Sequence, residues 1–194
     1  MSLTLKFIVY GNEAELGVAI KESGVPREKL YVTTKIDGVN PQNTKESFET
    51  SLKKLGLDYV DQYLIHAPFF AKSPADIQAK WADMEAIHAS GKAKTIGVSN
   101  FRKADLEAIL ETAKIVPAIN QIEFNPYLQH VELLEFQKKH GIKTGQATDL
   151  PNGLADRIQK VAKRVYRALE MSGYARMDLR LNTDGQFYVM EAVR

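Results

Sequence analysis

The sequence predicts an α/β fold: a mixed sheet of about five or six parallel βα units, completed by a further helix and an antiparallel C-terminal hairpin. Three observations predict it. Short apolar segments alternate with amphipathic ones, most amphipathic segments end at glycine, and after Gly153 the alternation gives way to one helix and a pair of alternating segments around Asp184 and Gly185. Successive parallel strands must be joined by crossovers long enough to hold a helix, which is what this alternation supplies.

Taken in order, Leu3 to Tyr10 reads as a strand, and Glu13 to Ser23 places Leu16, Ala19 and Ile20 at helical spacing before Gly24. LYVTTKI is the next strand, Asn43 to Leu55 a helix closed by Gly56, and YVDQYLIHA another strand. Ala75 to Ser90 is a helix ended by Gly91, AKTIGVSN a strand, Lys103 to Lys114 a helix, AINQIEFN a strand, and Val131 to His140 a helix ended by Gly141. Ile142 to Thr144 is a candidate sixth strand. The stretch KTGQATDLPNG, Lys143 to Gly153, has turn chemistry and little apolar anchorage, and it reads as a seam. Beyond it, Leu154 to Met171 carries Ile158, Val161, Ala162, Val165 and Leu169 on one helical face. Tyr174 to Leu181 and Gln186 to Val193 then flank the Asp184-Gly185 turn pair, with alternation that becomes irregular at Met190.

With 194 residues, 44% hydrophobic and 26% charged, the chain belongs with globular proteins, and one domain is the better prior. A formal net charge of +2 demands neither nucleic acid nor an acidic membrane, and the basic run Lys160 to Arg167 reads as a solvated helix face. The absence of cysteine excludes disulfides, thiolate catalysis and cysteine-based metal sites. The N-terminal segment, interrupted by Lys6, is neither a signal peptide nor a membrane span, so the expected location is the cytoplasm, or that of an expression host.

Tyr10, Lys35 and His66 stand at or near strand ends, where parallel α/β folds place their sites. A lysine beside a tyrosine favours phenolate and lowers the phenol's pKa, and a histidine can hold a carbonyl, so the trio could polarise and protonate a carbonyl oxygen. The alternative is structural: a packed tyrosine, a solvated lysine and a hydrogen-bonded core histidine.

The words around these residues are more specific. VYGNEAELGVAIKESGVPREKLYVTTK, SLKKLGLDYVDQYLIHAP, GKAKTIGVSNF and INQIEFNPY, in this order, resemble the aldo-keto reductases over about Val9 to Lys143. The resemblance implies part of a (β/α)8, TIM-type barrel and NADPH-dependent reduction of aldehydes and ketones. It implies Tyr10 as general acid, Lys35 as its pKa-lowering partner, His66 as the carbonyl-orienting group, and Ser99, Asn100 and Gln121 as nicotinamide contacts. It also implies an aspartate five residues before the tyrosine, where this chain has Leu5. The family's phosphate-gripping residues come from a C-terminal part beyond the resemblance.

From about Gln146 onward, ATDLPNGLADRIQKVAKRVYRALEMSGYARMDLRLNTDGQFYVMEAV resembles the C-terminal part of an ATP-grasp ligase of the D-alanine–D-alanine ligase type. That resemblance implies Asp178 and Glu191 as magnesium ligands, with Val193 where the family has an asparagine. Carboxylates suit magnesium, but without a nucleotide clamp upstream exposed strand charges are the simpler reading of the two.

Together these readings predict a single composite domain over 1–194, made of an aldo-keto-reductase-like fragment, 1–144, and an ATP-grasp-like helix–hairpin fragment, 145–194. They predict an engineered or recombined chimera of structural interest with no intact activity: not an enzyme, its site residues vestigial, and no cofactor. The alternatives are a natural pseudoenzyme or a weak residual NADPH-dependent carbonyl reductase, with NADP or Mg-ATP as ligand. The hairpin is expected to cover an edge of the parallel sheet near Leu3 to Tyr10, because an incomplete barrel leaves two unpaired edges. Closure into a barrel is the alternative architecture, and pairing between chains into a homodimer the alternative cover.

Overall fold

A computed structural model describes residues 3–6, 12–39, 43–123, 128, 130–144, 153–168, 170, 176–181 and 187–193. Their contacts gather into two compact units, residues 5–146 and residues 1–4 with 147–194.

The larger unit is a run of βα units. After β1 (Leu3–Lys6) come α1 (Glu13–Glu22), β2 (Leu30–Ile36), α2 (Thr44–Leu55), β3 (Val60–Ile65), α3 (Pro74–Ala89), β4 (Ala93–Ser99), α4 (Lys103–Leu110), β5 (Ile119–Gln121), α5 (Val131–Lys139) and β6 (Lys143–Thr144). The sheet order is β1-β2-β3-β4-β5-β6, and β2 to β6 pair in parallel, with Lys35 opposite Leu64 and Ser99 opposite Gln121. The order follows the sequence from edge to edge without returning, so the sheet is open. The predicted α/β class holds, and the closed-barrel alternative is not adopted.

Local chemistry explains the boundaries. Asn43 Oδ1 accepts from the Lys45 and Glu46 amides at 3.1 and 3.3 Å, starting α2. Pro74 follows the N-cap Ser73 of α3, whose amide donates to Asp76 at 2.8 Å. Helix α4 ends at Leu110 rather than at the predicted Lys114. Glu85 of α3 accepts from the Lys114 and Ile115 amides at 2.7 and 2.8 Å, and Trp81 Nε1 donates to the Ile115 carbonyl at 2.9 Å. Those bonds draw the chain out of the helix and towards β5.

The core lies between the outer face of the sheet and the helices. Phe48, Leu52 and Leu55 of α2 and Trp81, Met84 and Ile87 of α3 are buried, as are Tyr63, Ile65, Ile96 and Val98 of the sheet. The Phe48 and Tyr63 rings meet at 4.6 Å. These helices are held by apolar burial on the strands, which leaves the strand ends available for polar groups.

In the smaller unit α6 (Leu154–Ala168) presents Arg157, Lys160, Lys163, Arg164 and Arg167 to solvent, while Ile158, Val161, Ala162 and Val165 are half-buried, as the apolar face predicts. This helix contacts β8. Strands β7 (Arg176–Leu181) and β8 (Phe187–Val193) pair antiparallel, as predicted, and the predicted turn at Asp184-Gly185 lies outside the described residues. Asp178 faces Glu191 but Leu179 faces Val189, so Met190 is an extra residue on β8, a bulge. The irregular alternation at Met190 is the sequence trace of that bulge.

One expectation fails. The hairpin does not join the parallel sheet; among the described residues β7 and β8 form a two-stranded sheet of their own. Each strand pairs with the other along one edge, and the bulge at Met190 interrupts the regular ladder. No helix among the described residues is long and apolar enough to cross a membrane.

Candidate active site

The C-terminal ends of β2, β3, β4 and β5 bring five of the expected residues together. Lys35 is the penultimate residue of β2, His66 follows β3, Ser99 ends β4 with Asn100 next, and Gln121 ends β5. Parallel strands in sequential order place their ends side by side, so residues far apart in the chain meet.

Lys35 is 9% exposed, and its Nζ donates to Ser99 Oγ at 3.1 Å. Ser99 Oγ donates to the Gln121 carbonyl at 2.8 Å. Asn100 Nδ2 donates to the His66 carbonyl at 2.9 Å and to Ser99 Oγ at 3.2 Å, tying the ends of β3 and β4 together. To do so Asn100 adopts a left-handed backbone with φ of 60°, a conformation asparagine tolerates better than most residues. The Asn100 amide donates in turn to the Gln121 carbonyl at 2.9 Å.

The electrostatics favour a neutral histidine. Burial, followed by the nearby Lys35 ammonium, lowers the His66 pKa, and Asp37 opposes them without reversing the result. At neutral pH the imidazole is therefore uncharged and carries one N–H donor. Gln121 Oε1 is buried without a partner among the described groups, an acceptor that a bound amide would satisfy.

Two supporting residues were not singled out from the sequence. Asn120, fully buried, accepts from the Phe101 amide at 3.2 Å and donates to the Phe101 carbonyl at 2.8 Å, clamping the loop that carries Asn100. A buried asparagine within an apolar strand was the available signal. Gly38 lets the loop after β2 touch the loop after β3: a Cβ there would lie 2.5 Å from the Ala67 amide nitrogen and carbonyl oxygen. A depression of about 570 Å³ beside Asn100 also involves Arg102, Ile122 and His130, and it does not include Lys35 or His66.

The remaining expectations are placed as follows. Tyr10 lies outside the described residues. Leu5 is in β1. Asp178 and Glu191 are Cα partners across the β7–β8 ladder, and no group of three metal-ligating side chains occurs among the described residues.

A family model described as "Aldo/keto reductase family" matches residues 8–172. The chain is 47% identical over 137 residues to the NAD/NADP-dependent indole-3-acetaldehyde reductase of Schizosaccharomyces pombe, covering 69% of this chain and 48% of that protein. It is 41% identical over 147 residues to the glyoxal reductase of Bacillus subtilis, covering 75% and 52%. A crystal structure of an aldo/keto reductase from Brucella melitensis superposes with a TM-score of 0.69 at 38% identity, covering 84% of this chain and 64% of the other. The chain spans about half the length of the curated relatives it matches.

These findings correct several expectations. The family match crosses the expected seam at 143–153 and runs on to 172, so the expected engineered or recombined chimera is not upheld. The ligase-like reading of 146–194 gains no support from the comparisons; a helix, a DG turn and two strand carboxylates are features that many hairpins share. The expectation of a chain that is not an enzyme is overturned by relatives named as reductases. The expectation of no cofactor falls with it, since one relative is named for its NAD/NADP dependence. Leu5 lies outside the residues that the family model matches.

Proposed function

Because this chain belongs to the aldo/keto reductase family, we propose that it reduces a reactive aldehyde to the alcohol with a reduced nicotinamide cofactor. The observation that carries the reading is the convergence of Lys35, His66, Ser99, Asn100 and Gln121 on one end of the sheet, with Gln121 Oε1 buried and without a partner among the described residues. The relatives named for indole-3-acetaldehyde and for glyoxal support an aldehyde as substrate class.

The cofactor, when bound, supplies hydride to the carbonyl carbon. The protein's residues do the rest. Gln121 Oε1 would accept from the carboxamide N–H, a group its acceptor chemistry fits. His66, held neutral, donates to the substrate carbonyl oxygen and fixes its direction. Tyr10 gives its phenolic proton to the developing alkoxide, and the Lys35 ammonium eases that transfer by favouring phenolate. Lys35 and Ser99 are themselves buried, which strengthens the field of the ammonium on its neighbours. The reading includes a cytoplasmic setting without nucleic-acid or membrane partners, with a homodimer through sheet edges as the alternative assembly.

The test is NADPH oxidation with a reactive aldehyde such as glyoxal. Purified chain should consume NADPH in proportion to aldehyde, and Tyr10→Phe should lower the rate at least about a hundredfold, the typical worth of a positioned acid. A rate equal to that of buffer, or one unchanged by Tyr10→Phe, rejects the proposal.

A further inference from the structure

We propose that Glu13 is a positioning residue: its hydrogen bond to Thr34 docks the start of α1 on β2 and so sets where Tyr10, three positions earlier in the chain, stands relative to Lys35. This deepens the proposed reductase reading and rests on it. Glu13 is the first residue of α1 and is only 3% exposed, an unusual place for a carboxylate. Its Oε1 accepts from Thr34 Oγ1 at 2.8 Å, and its Oε2 lies 3.8 Å from the Lys54 ammonium of α2. Asn12, the residue before it, gives α1 no side-chain cap, so among the described residues this carboxylate is the polar group that ties the helix start to the sheet.

Desolvating a carboxylate is costly, and Lys54, half-exposed and 3.8 Å away, offsets little of that cost. An apolar side chain would hold α1 on the sheet more cheaply, but it would not select one position along β2. A hydrogen bond does, because it weakens steeply with distance and angle. Thr34 adjoins Lys35, and successive side chains of a strand point to opposite faces, so the Glu13–Thr34 bond lies on the helix-covered face and Lys35 is turned to the other. The carboxylate therefore refers the chain that carries Tyr10 to the stretch of β2 that carries the ammonium. Tyr63 of β3 feels the same charge: burial, and then Glu13, push its phenol pKa up. Spacing of this kind governs proton transfer, where a displacement of about 1 Å can cost about a hundredfold in rate.

The experiment is an NMR titration of the Tyr10 phenol in the cofactor-free chain with carbon-labelled tyrosine, the signal assigned by its loss in Tyr10→Phe. Turnover, NADPH affinity and melting temperature are measured on the same preparations. In the wild type the Lys35 ammonium should hold this phenol below its ordinary value of about 10. Glu13→Ala should raise it towards that value, lower kcat by about ten- to a hundredfold and leave NADPH affinity within about twofold. The sign is diagnostic, because removing a negative charge without displacing Tyr10 would lower the phenol pKa. Thr34→Val, which deletes the donor and keeps the charge, should act as Glu13→Ala does, and the double variant should be no worse than either alone. Glu13→Gln, which keeps an oxygen that accepts from Thr34, should restore the wild-type titration and turnover.

A role in stability alone would lower the melting temperature of Glu13→Ala and leave the Tyr10 titration where it is, and that result would overturn the proposal. So would a fall in the phenol pKa, or an unmoved titration in Thr34→Val, which serves if Glu13→Ala folds poorly. An ordinary Tyr10 titration in the wild-type chain would refute both this inference and the Tyr10–Lys35 pairing on which it rests. A wild-type chain that reduces no aldehyde while its Tyr10 titration responds to Glu13→Ala would refute the proposed function and leave the role of Glu13 standing.

Discussion

Asp61, at the start of β3, shows how single residues hold the end of the sheet opposite the site. It is 6% exposed, and its carboxylate accepts from the Val32 amide at 2.9 Å, Arg27 at 2.8 Å and Lys94 at 3.1 Å. Both cations also lie over the Tyr59 ring, at 4.1 and 4.2 Å. Burial alone would raise the Asp61 pKa, but the amide and the two cations together outweigh it and hold the carboxyl below its ordinary value. A carboxyl with a depressed folded-state pKa contributes stability that is present above the unfolded value and lost as pH falls through the folded one. Asp61→Asn should therefore cost about 2 kcal/mol at neutral pH and flatten the loss of stability below about pH 4. Urea titrations across that range check it, and equal slopes in mutant and wild type would contradict the argument. At the other end of the strands, Lys35 and His66 were legible because each stands where an apolar segment ends, whereas Ser99, Asn100 and Gln121 were implied only by the family resemblance. The protein-side bonds of Ser99 were not legible: only the distances show its hydroxyl bonded to Lys35, Asn100 and the Gln121 carbonyl.

Among the elements, α1 and α2 depend on one glycine. A Cβ at Gly17 would lie 2.7 Å from the Leu55 carbonyl oxygen and 2.8 Å from that of Lys54. Alanine would gain about 1 kcal/mol of helix propensity, yet the opposing atoms are backbone and cannot swing aside as a side chain would. Gly17→Ala should be destabilising by about 1–2 kcal/mol, whereas Val18→Ala, at a position 54% exposed, should stay within about 0.5 kcal/mol. Chemical denaturation of the two variants side by side separates them; equal midpoints would show that the helices part without cost. The helices themselves were readable from caps and apolar spacing. The early end of α4 was not, because Glu85 and Trp81, which draw residues 114–115 away, lie about thirty positions upstream.

For the molecule as a whole, cofactor binding to the folded chain should raise its melting temperature by mass action. At a hundred times the dissociation constant the gain is about 2.7 kcal/mol, which for a chain of this size shifts the midpoint by roughly 5–10 °C. Thermal unfolding with and without NADPH measures it, and an unmoved midpoint at millimolar NADPH would sink the cofactor assignment. At this scale the sequence misled most. About fifty C-terminal residues carry a helix, a turn pair and two carboxylates that suggest a different origin, whereas the family match continues through 172.

The sequence by itself determined the order of the βα units, the apolar faces that bury them, the hairpin with its irregularity at Met190, and the strand-end positions of Lys35 and His66. These follow from local periodicity and turn chemistry, which neighbours along the chain suffice to specify. The tertiary structure alone decided that the sheet stays open, that the hairpin pairs only with itself among the described residues, and that Ser99 lies within hydrogen-bond distance of Lys35, Asn100 and the Gln121 carbonyl. Each of these depends on which distant backbone or side-chain group lies within about 3 Å, and hydrogen bonds are sensitive to that distance in a way that sequence spacing does not record.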